Sequence, residues 1–202
     1  MKYTLPLFIL LFLSTYSYGQ KKTNNYQQLI QKEFFNPGDT VIKFRGLLTA
    51  PNDTSKEAIN VDTIARKGNF NFIPALNDSI AFGNVKFKSI FLQTNNDRKV
   101  VIVGLTKSYF KKNGNYTTEY IHQEYDQLVA YLDGQLKLPS TTYDHPSRMF
   151  KKDGKTPIPH SNKGLTWKKE NVSYRLYLSE PLQIDSTTKY FGSINLNAWR
   201  TN

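Results

Sequence analysis

The sequence predicts an α+β fold: a mainly antiparallel sheet built from hairpins, one long helix over about residues 118–137 packed across a face, and a short N-terminal helix. Three observations predict it. Ile121, Tyr125, Leu128, Leu132 and Leu136 recur at helical spacing. Several alternating or β-branched runs are bounded by Asn, Asp, Gly and Pro clusters. These runs arrive in adjacent pairs, which favours hairpins over the strand–helix alternation of a parallel sheet.

Taken in order, residues 20–26 are polar. Tyr26 to Phe35 suits a short helix, with Leu29 and Ile30, joined by Glu33 and Phe34, as its apolar edge, and Asn36-Pro37-Gly38-Asp39 stops it. Thr40 to Thr49 alternates, Ile42, Phe44 and Leu48 against Lys43 and Arg45, and reads as a half-buried strand. Weaker strands follow near Ile59–Ala65 and Phe70–Ile73. Val85–Thr94 and Lys99–Tyr109 flank the turn Asn95-Asn96-Asp97-Arg98 and form a hairpin. Val100 to Val103 is a continuous β-branched run, the mark of a central strand buried on both faces. Val85 and Phe87 are out of phase with Ile90 and Leu92, so a bulge is expected near Ser89.

Thr117 or Thr118 caps the long helix, Glu119 suits the positive end of its dipole, and Pro139 forbids its continuation. A long polar loop follows, at about residues 139–163, with Pro139, Pro146, Pro157 and Pro159. Leu165–Lys168 and Val172–Ser179 make a second hairpin about Lys169-Glu170-Asn171, with Val172, Tyr174, Leu176 and Leu178 alternating against Ser173, Arg175, Tyr177 and Ser179. Tyr190–Trp199 is a last strand. Two subdomains divided near residue 80 would each bury little surface, so residues 20–202 read as a single domain.

The chain has 202 residues, no cysteine, and 27 Lys plus Arg against 16 acids, a formal charge of +11. The absence of cysteine excludes disulfides, thiolate metal sites and a cysteine nucleophile. Residues 1–19 have the form of a secretory signal peptide: Lys2, an apolar Leu5–Leu13, then small residues at Ser17 and Gly19. Nine apolar residues are too few to span roughly 30 Å of hydrocarbon at about 1.5 Å each. Cleavage is expected near Gly19-Gln20, giving a periplasmic or extracellular protein with no transmembrane segment. The mature start at Gln20 with Lys21-Lys22 resembles exported proteins of Bacteroidota-type bacteria, a resemblance confined to the leader. Four Asn-x-Ser/Thr sequons, at Asn52, Asn77, Asn115 and Asn171, matter only in a eukaryotic secretory pathway. Asp-Ser/Thr triplets at Asp39, Asp62, Asp78 and Asp185 resemble the O-glycosylation signal of Bacteroidota envelope proteins.

Few residues carry a recognisable chemistry. No nucleophile elbow, Ser-x-x-Lys, Walker loop, Gly-x-Gly-x-x-Gly or His-Glu-x-x-His motif occurs, so no catalytic residue, metal or cofactor is assigned. His122 lies within helical reach of Glu119 and Asp126. Asp144, His145 and His160 share the polar loop, and their convergence would suit a small hydrolase.

The basic stretch says more. Residues 146–170 hold Arg148, Lys151, Lys152, Lys155, Lys163, Lys168 and Lys169 against Asp153 and Glu170, with Met149, Phe150 and Trp167 interspersed. Cations among aromatics hold anionic groups and stack on rings or sugars. Trp167 and Trp199 fit either a carbohydrate platform or the core. Export argues against nucleic acid. The expected role is therefore a non-catalytic interaction module whose basic loop contacts an anionic polysaccharide, a lipid head group or an acidic protein. The alternatives are the small hydrolase and an inhibitor or immunity-type protein.

Overall fold

Runs that alternate or branch at Cβ become strands, and the two helical periodicities become helices. A computed structural model of the chain describes residues 26–39, 41–44, 47–49, 68–72, 79–110, 116–143, 149–150, 157–158, 160–181 and 190–201. Helix α1 spans 26–35 and is followed by a 3₁₀ turn at Val41–Phe44. Strands β1 (Leu48–Thr49), β2 (Gly68–Phe72), β3 (Ile80–Phe82), β4 (Val85–Phe87), β5 (Ser89–Thr94) and β6 (Val100–Phe110) precede helix α2 (Thr118–Leu136). Strands β7 (Thr141–Thr142), β8 (Met149–Phe150), β9 (Pro157–Ile158), β10 (His160–Lys169), β11 (Val172–Pro181) and β12 (Tyr190–Arg200) follow it.

The architecture is α+β. Among the described residues, eight strands form one sheet in the order β1-β2-β5-β6-β12-β11-β10-β7, and two-stranded ribbons β3-β4 and β8-β9 stand apart from it. The pairings are antiparallel. β6 is an interior strand, as its branched run predicts. Its register on β5 passes from Gln93↔Ile102 to Thr94↔Val100 and leaves Val101 as an extra residue. That bulge lets Val100 and Val103, three residues apart, both reach the core. Val101 and Ile102 stay half-buried, so the second face of β6 is not sealed as the sequence suggests.

One face of the sheet carries α2, α1 and the β3-β4 ribbon. Ile121, Tyr125, Leu128, Leu132 and Leu136 of α2 are buried, each contributing about 1.5–3 kcal/mol where burial is complete. Phe34 of α1 meets the edge of Phe82 at 4.9 Å and tilts against Tyr174 of β11 at 5.6 Å. These residues belong to one contiguous apolar cluster that also takes in β5, β6 and β12. Thr117 caps α2, its hydroxyl accepting from the Tyr120 N–H at 3.2 Å. The helix ends at Leu136, with Lys137 in the left-handed region at φ 55°.

The structure corrects three expectations, on Thr40–Thr49, on Ser89 and on the polar loop, and bears out one weak strand. Thr40–Thr49 is not a strand: Val41–Phe44 winds into a 3₁₀ turn and only Leu48–Thr49 pairs, with β2. The phase change at Ser89 is no bulge. The chain leaves one ladder after Phe87, passes Lys88 and joins another at Ser89, so β4 pairs with β3 and β5 with β2 and β6. The weak strand near Phe70–Ile73 lies at Gly68–Phe72, while that near Ile59–Ala65 falls outside the described residues. The polar loop is shorter than 139–163. β7 docks on β10 at its start, β8 pairs with β9 within it, and β10 begins at His160.

Candidate functional site

The basic stretch becomes an edge. Lys163, Lys168 and Lys169 lie in β10, whose outer neighbour β7 pairs, among the described residues, at Leu165 and Thr166. All three lysines are exposed. Lys163 and Lys168 are five residues apart, about 17 Å at the rise of a strand. The structure therefore strings them along a sheet margin and does not cluster them. Alternation sends Lys168 to the face away from α2, while Lys163 and Lys169 share the side of Trp167. Arg148, Lys151, Lys152 and Lys155, with Asp144 and His145, lie outside the described residues. His160 opens β10, its backbone opposite Pro181.

Trp167 is not part of a ligand surface. It is 1 % exposed, and its indole N–H donates to Asp133 Oδ1 of α2 at 2.7 Å. A polar handle on a buried ring needs a partner, and Asp133 supplies it. Lys169, beside it, lines a cleft of about 360 Å³ with Phe35, Gln135, Glu170 and Tyr174. The Tyr174 hydroxyl donates to the Phe35 carbonyl at 2.7 Å, and burial pushes this phenol up to about 12.

At the other end of β10, Lys163 meets His122. Lys163 Nζ lies 3.3 Å from His122 Nδ1, and His122 Nε2 lies 2.8 and 3.0 Å from the two Glu180 oxygens. The set is self-consistent with a neutral imidazole carrying its proton on Nε2: the ammonium donates to Nδ1, and Nε2–H donates to the carboxylate. Helical spacing offers Glu119 and Asp126 as partners, but β10 and β11 provide those the ring uses.

A second polar knot lies nearby. Glu124, buried on α2, receives Lys107 Nζ of β6 at 2.6 Å on each oxygen, the Tyr109 hydroxyl at 2.5 Å and the Tyr120 hydroxyl at 2.8 Å. The hydrogen bond to Glu124 pushes Tyr120 up to about 12. Burial, then the same carboxylate, pushes Tyr109 far above the ordinary phenol range. With its lone pairs engaged, Glu124 is an anchor between helix and sheet.

The sheet's other face holds a feature that sequence reasoning left unassigned. Arg175 of β11 carries its guanidinium carbon 3.9 Å from the Tyr143 ring centroid and 4.8 Å from that of Trp199. Asn197 lies directly opposite Arg175 on β12, and Thr166 lies opposite it on β10. Arg175, Tyr143, Trp199 and Asn197 are half-buried, and Lys168 is exposed on the same face. The alternation of β11 puts Arg175 on its polar side, but only the register to β12 brings Trp199 within reach.

No protein-family model, no curated protein and no solved structure matches this chain. Among the described residues, no group of three His, Asp or Glu is placed to hold a metal ion, and no helix is long and apolar enough to cross a membrane.

Proposed function

We propose that this is an exported envelope or extracellular protein that acts by binding, not catalysis, and that its basic segment, residues 146–170, contacts an anionic partner. The leader at residues 1–19 supports export. The observation that carries the binding reading is the line of exposed lysines, Lys163, Lys168 and Lys169, along a sheet edge. They are continuous in sequence with Arg148, Lys151, Lys152 and Lys155. Lysine beside a sheet edge also resists pairing with other chains, so charge there serves solubility as well as recognition. Recognition is what a binding measurement tests. Affinity for an anionic polymer should fall steeply between low and physiological salt, because each neutralised charge is screened. Replacing Lys151 and Lys152 together by Glu should weaken binding while leaving the circular dichroism spectrum unchanged. Binding indifferent to both salt and these substitutions would remove the proposal. So would a hydrolytic activity abolished by His145→Ala or His160→Ala.

A further inference from the structure

Arg175 is built for a contact that the described residues do not make. A guanidinium has five N–H donors, and among the described residues Arg175 makes two ring contacts and no hydrogen bond or ion pair. Its Nε is buried without a partner. Leaving a buried donor unsatisfied is costly, a cost that side-chain motion could relieve were the group not held. Tyr143 and Trp199 hold it. With two rings against it, the guanidinium has little freedom to rotate. Its N–H groups lie in the guanidinium plane, so an oxygen that pairs with them approaches in that plane.

The surroundings complete the argument. Asn197, directly across the ladder, spends its side-chain amide on no hydrogen bond among the described residues and offers both donors and an acceptor. Thr166, on the other side, is not available: its hydroxyl donates to the Tyr174 carbonyl at 2.8 Å. Lys168, opposite Ser173 and so one step along the same face, adds a point charge. A planar fork, an amide with no partner among the described residues, two ring edges and a lysine thus share one patch.

We infer that the Tyr143–Arg175–Trp199 stack is a carboxylate-reading subsite, and that its ligand is an acidic polysaccharide bearing uronate groups. This rests on the reading that the protein binds an anionic partner, and narrows it. The in-plane fork matches the two coplanar oxygens of a carboxylate with two parallel hydrogen bonds. The Asn197 amide serves ring hydroxyls, and the rims of Trp199 and Tyr143 cover the sugar's C–H surface. A phosphate head group needs no planar fork, since lysine point charges suffice for it. An acidic peptide pairs its backbone amides with Asn197 as well, but it brings no ring C–H face for Trp199 and Tyr143 to cover.

Calorimetric titration of the full chain with oligogalacturonate, its methyl ester, poly-glutamate and phosphatidylglycerol vesicles tests this. Oligogalacturonate should bind, and its ester at least about tenfold more weakly. Arg175→Lys keeps the charge but removes the fork, and should weaken oligogalacturonate binding by about tenfold or more. Tyr143→Ala, which removes one face of the stack, should weaken it with an unchanged melting temperature, and decides the matter should Arg175→Lys fail to fold. Equal binding of acid and ester, or preference for poly-glutamate or vesicles, would overturn the ligand class. Should Lys168→Glu with Lys169→Glu weaken binding while Arg175→Lys and Tyr143→Ala do not, the subsite is wrong and the wider anionic reading stands. If no anion binds, both fall.

Discussion

Glu124 shows how much one residue is asked to hold. It takes an ammonium and two phenols, and with Lys107 it forms an ion pair whose side chains are only 10 % and 18 % exposed. Such a pair contributes little net stability over an apolar replacement, but breaking it strands a charge. Glu124→Gln should therefore cost about 3–5 kcal/mol, because Lys107 keeps its charge without its partner. Adding Lys107→Met should recover most of that loss. Urea denaturation checks both, and a single variant within about 1 kcal/mol of wild type would show that water already shares the site. Residue-level chemistry of this kind was only partly legible. Glu124 falls on the apolar stripe of α2, yet nothing local says that Lys107, 17 positions earlier, would reach it. His122 misled for the same reason: helical spacing names neighbours, and the sheet beneath α2 supplied nearer ones. Trp167 could be read as platform or core, and its burial turned on Asp133, a partner from another element.

At the scale of elements, the stop of α1 is set by a buried acid. Glu33 Oε1 accepts from the Gly38 and Asp39 N–H groups at 2.6 and 3.0 Å, while Oε2 is buried without a partner. Burial, the largest cause, raises its titration above the ordinary 4.5. Below 4.5 the carboxyl is neutral folded or unfolded and its contribution is fully present. As pH climbs through the raised value, the folded chain must ionise a buried group and that contribution is lost. The melting temperature of wild type, measured against Glu33→Gln from pH 4 to 7, should therefore decline relative to the variant, and a constant difference would refute this. The β5–β6 ladder carries a different constraint. Phe91 faces Gly104 directly, and a Cβ there would lie 1.9 Å from the Phe91 ring. Gly104→Ala should destabilise by at least about 1–3 kcal/mol, the range for overpacking. Phe91→Leu should absorb part of the clash, so thermal melts of the double variant should show non-additivity. The helices and long hairpins were legible because period and turn chemistry agree over ten or more residues. Thr40–Thr49 was not, since Val41 and Phe44, three apart, suit one side of a 3₁₀ turn as well as Ile42 and Phe44, two apart, suit one face of a strand. The phase break at Ser89 was visible, but a bulge and a change of ladder leave the same mark in a sequence.

Across the whole molecule, the two faces of the sheet divide the work. One is closed by α1, α2 and the β3-β4 ribbon around the apolar cluster. The other carries Arg175 with its flanking rings, Asn197 and Lys168. Fold class follows from hairpin-rich patterning, whereas strand order does not, because the deciding contact joins distant segments. Thr106 of β6 donates to Asn195 of β12, 89 positions away, and no local signal announces such a pairing. That pairing has a consequence for synthesis. β12, the last described strand to leave the ribosome, is also the one that enters between β6 and β11. Until it arrives, the nascent chain has two sticky borders in its middle. A polypeptide halted before residue 190 would be cleft into halves, open to any extended segment that could fill the vacancy. The same gap would let residues 190–201, offered as a separate peptide, finish the protein from outside.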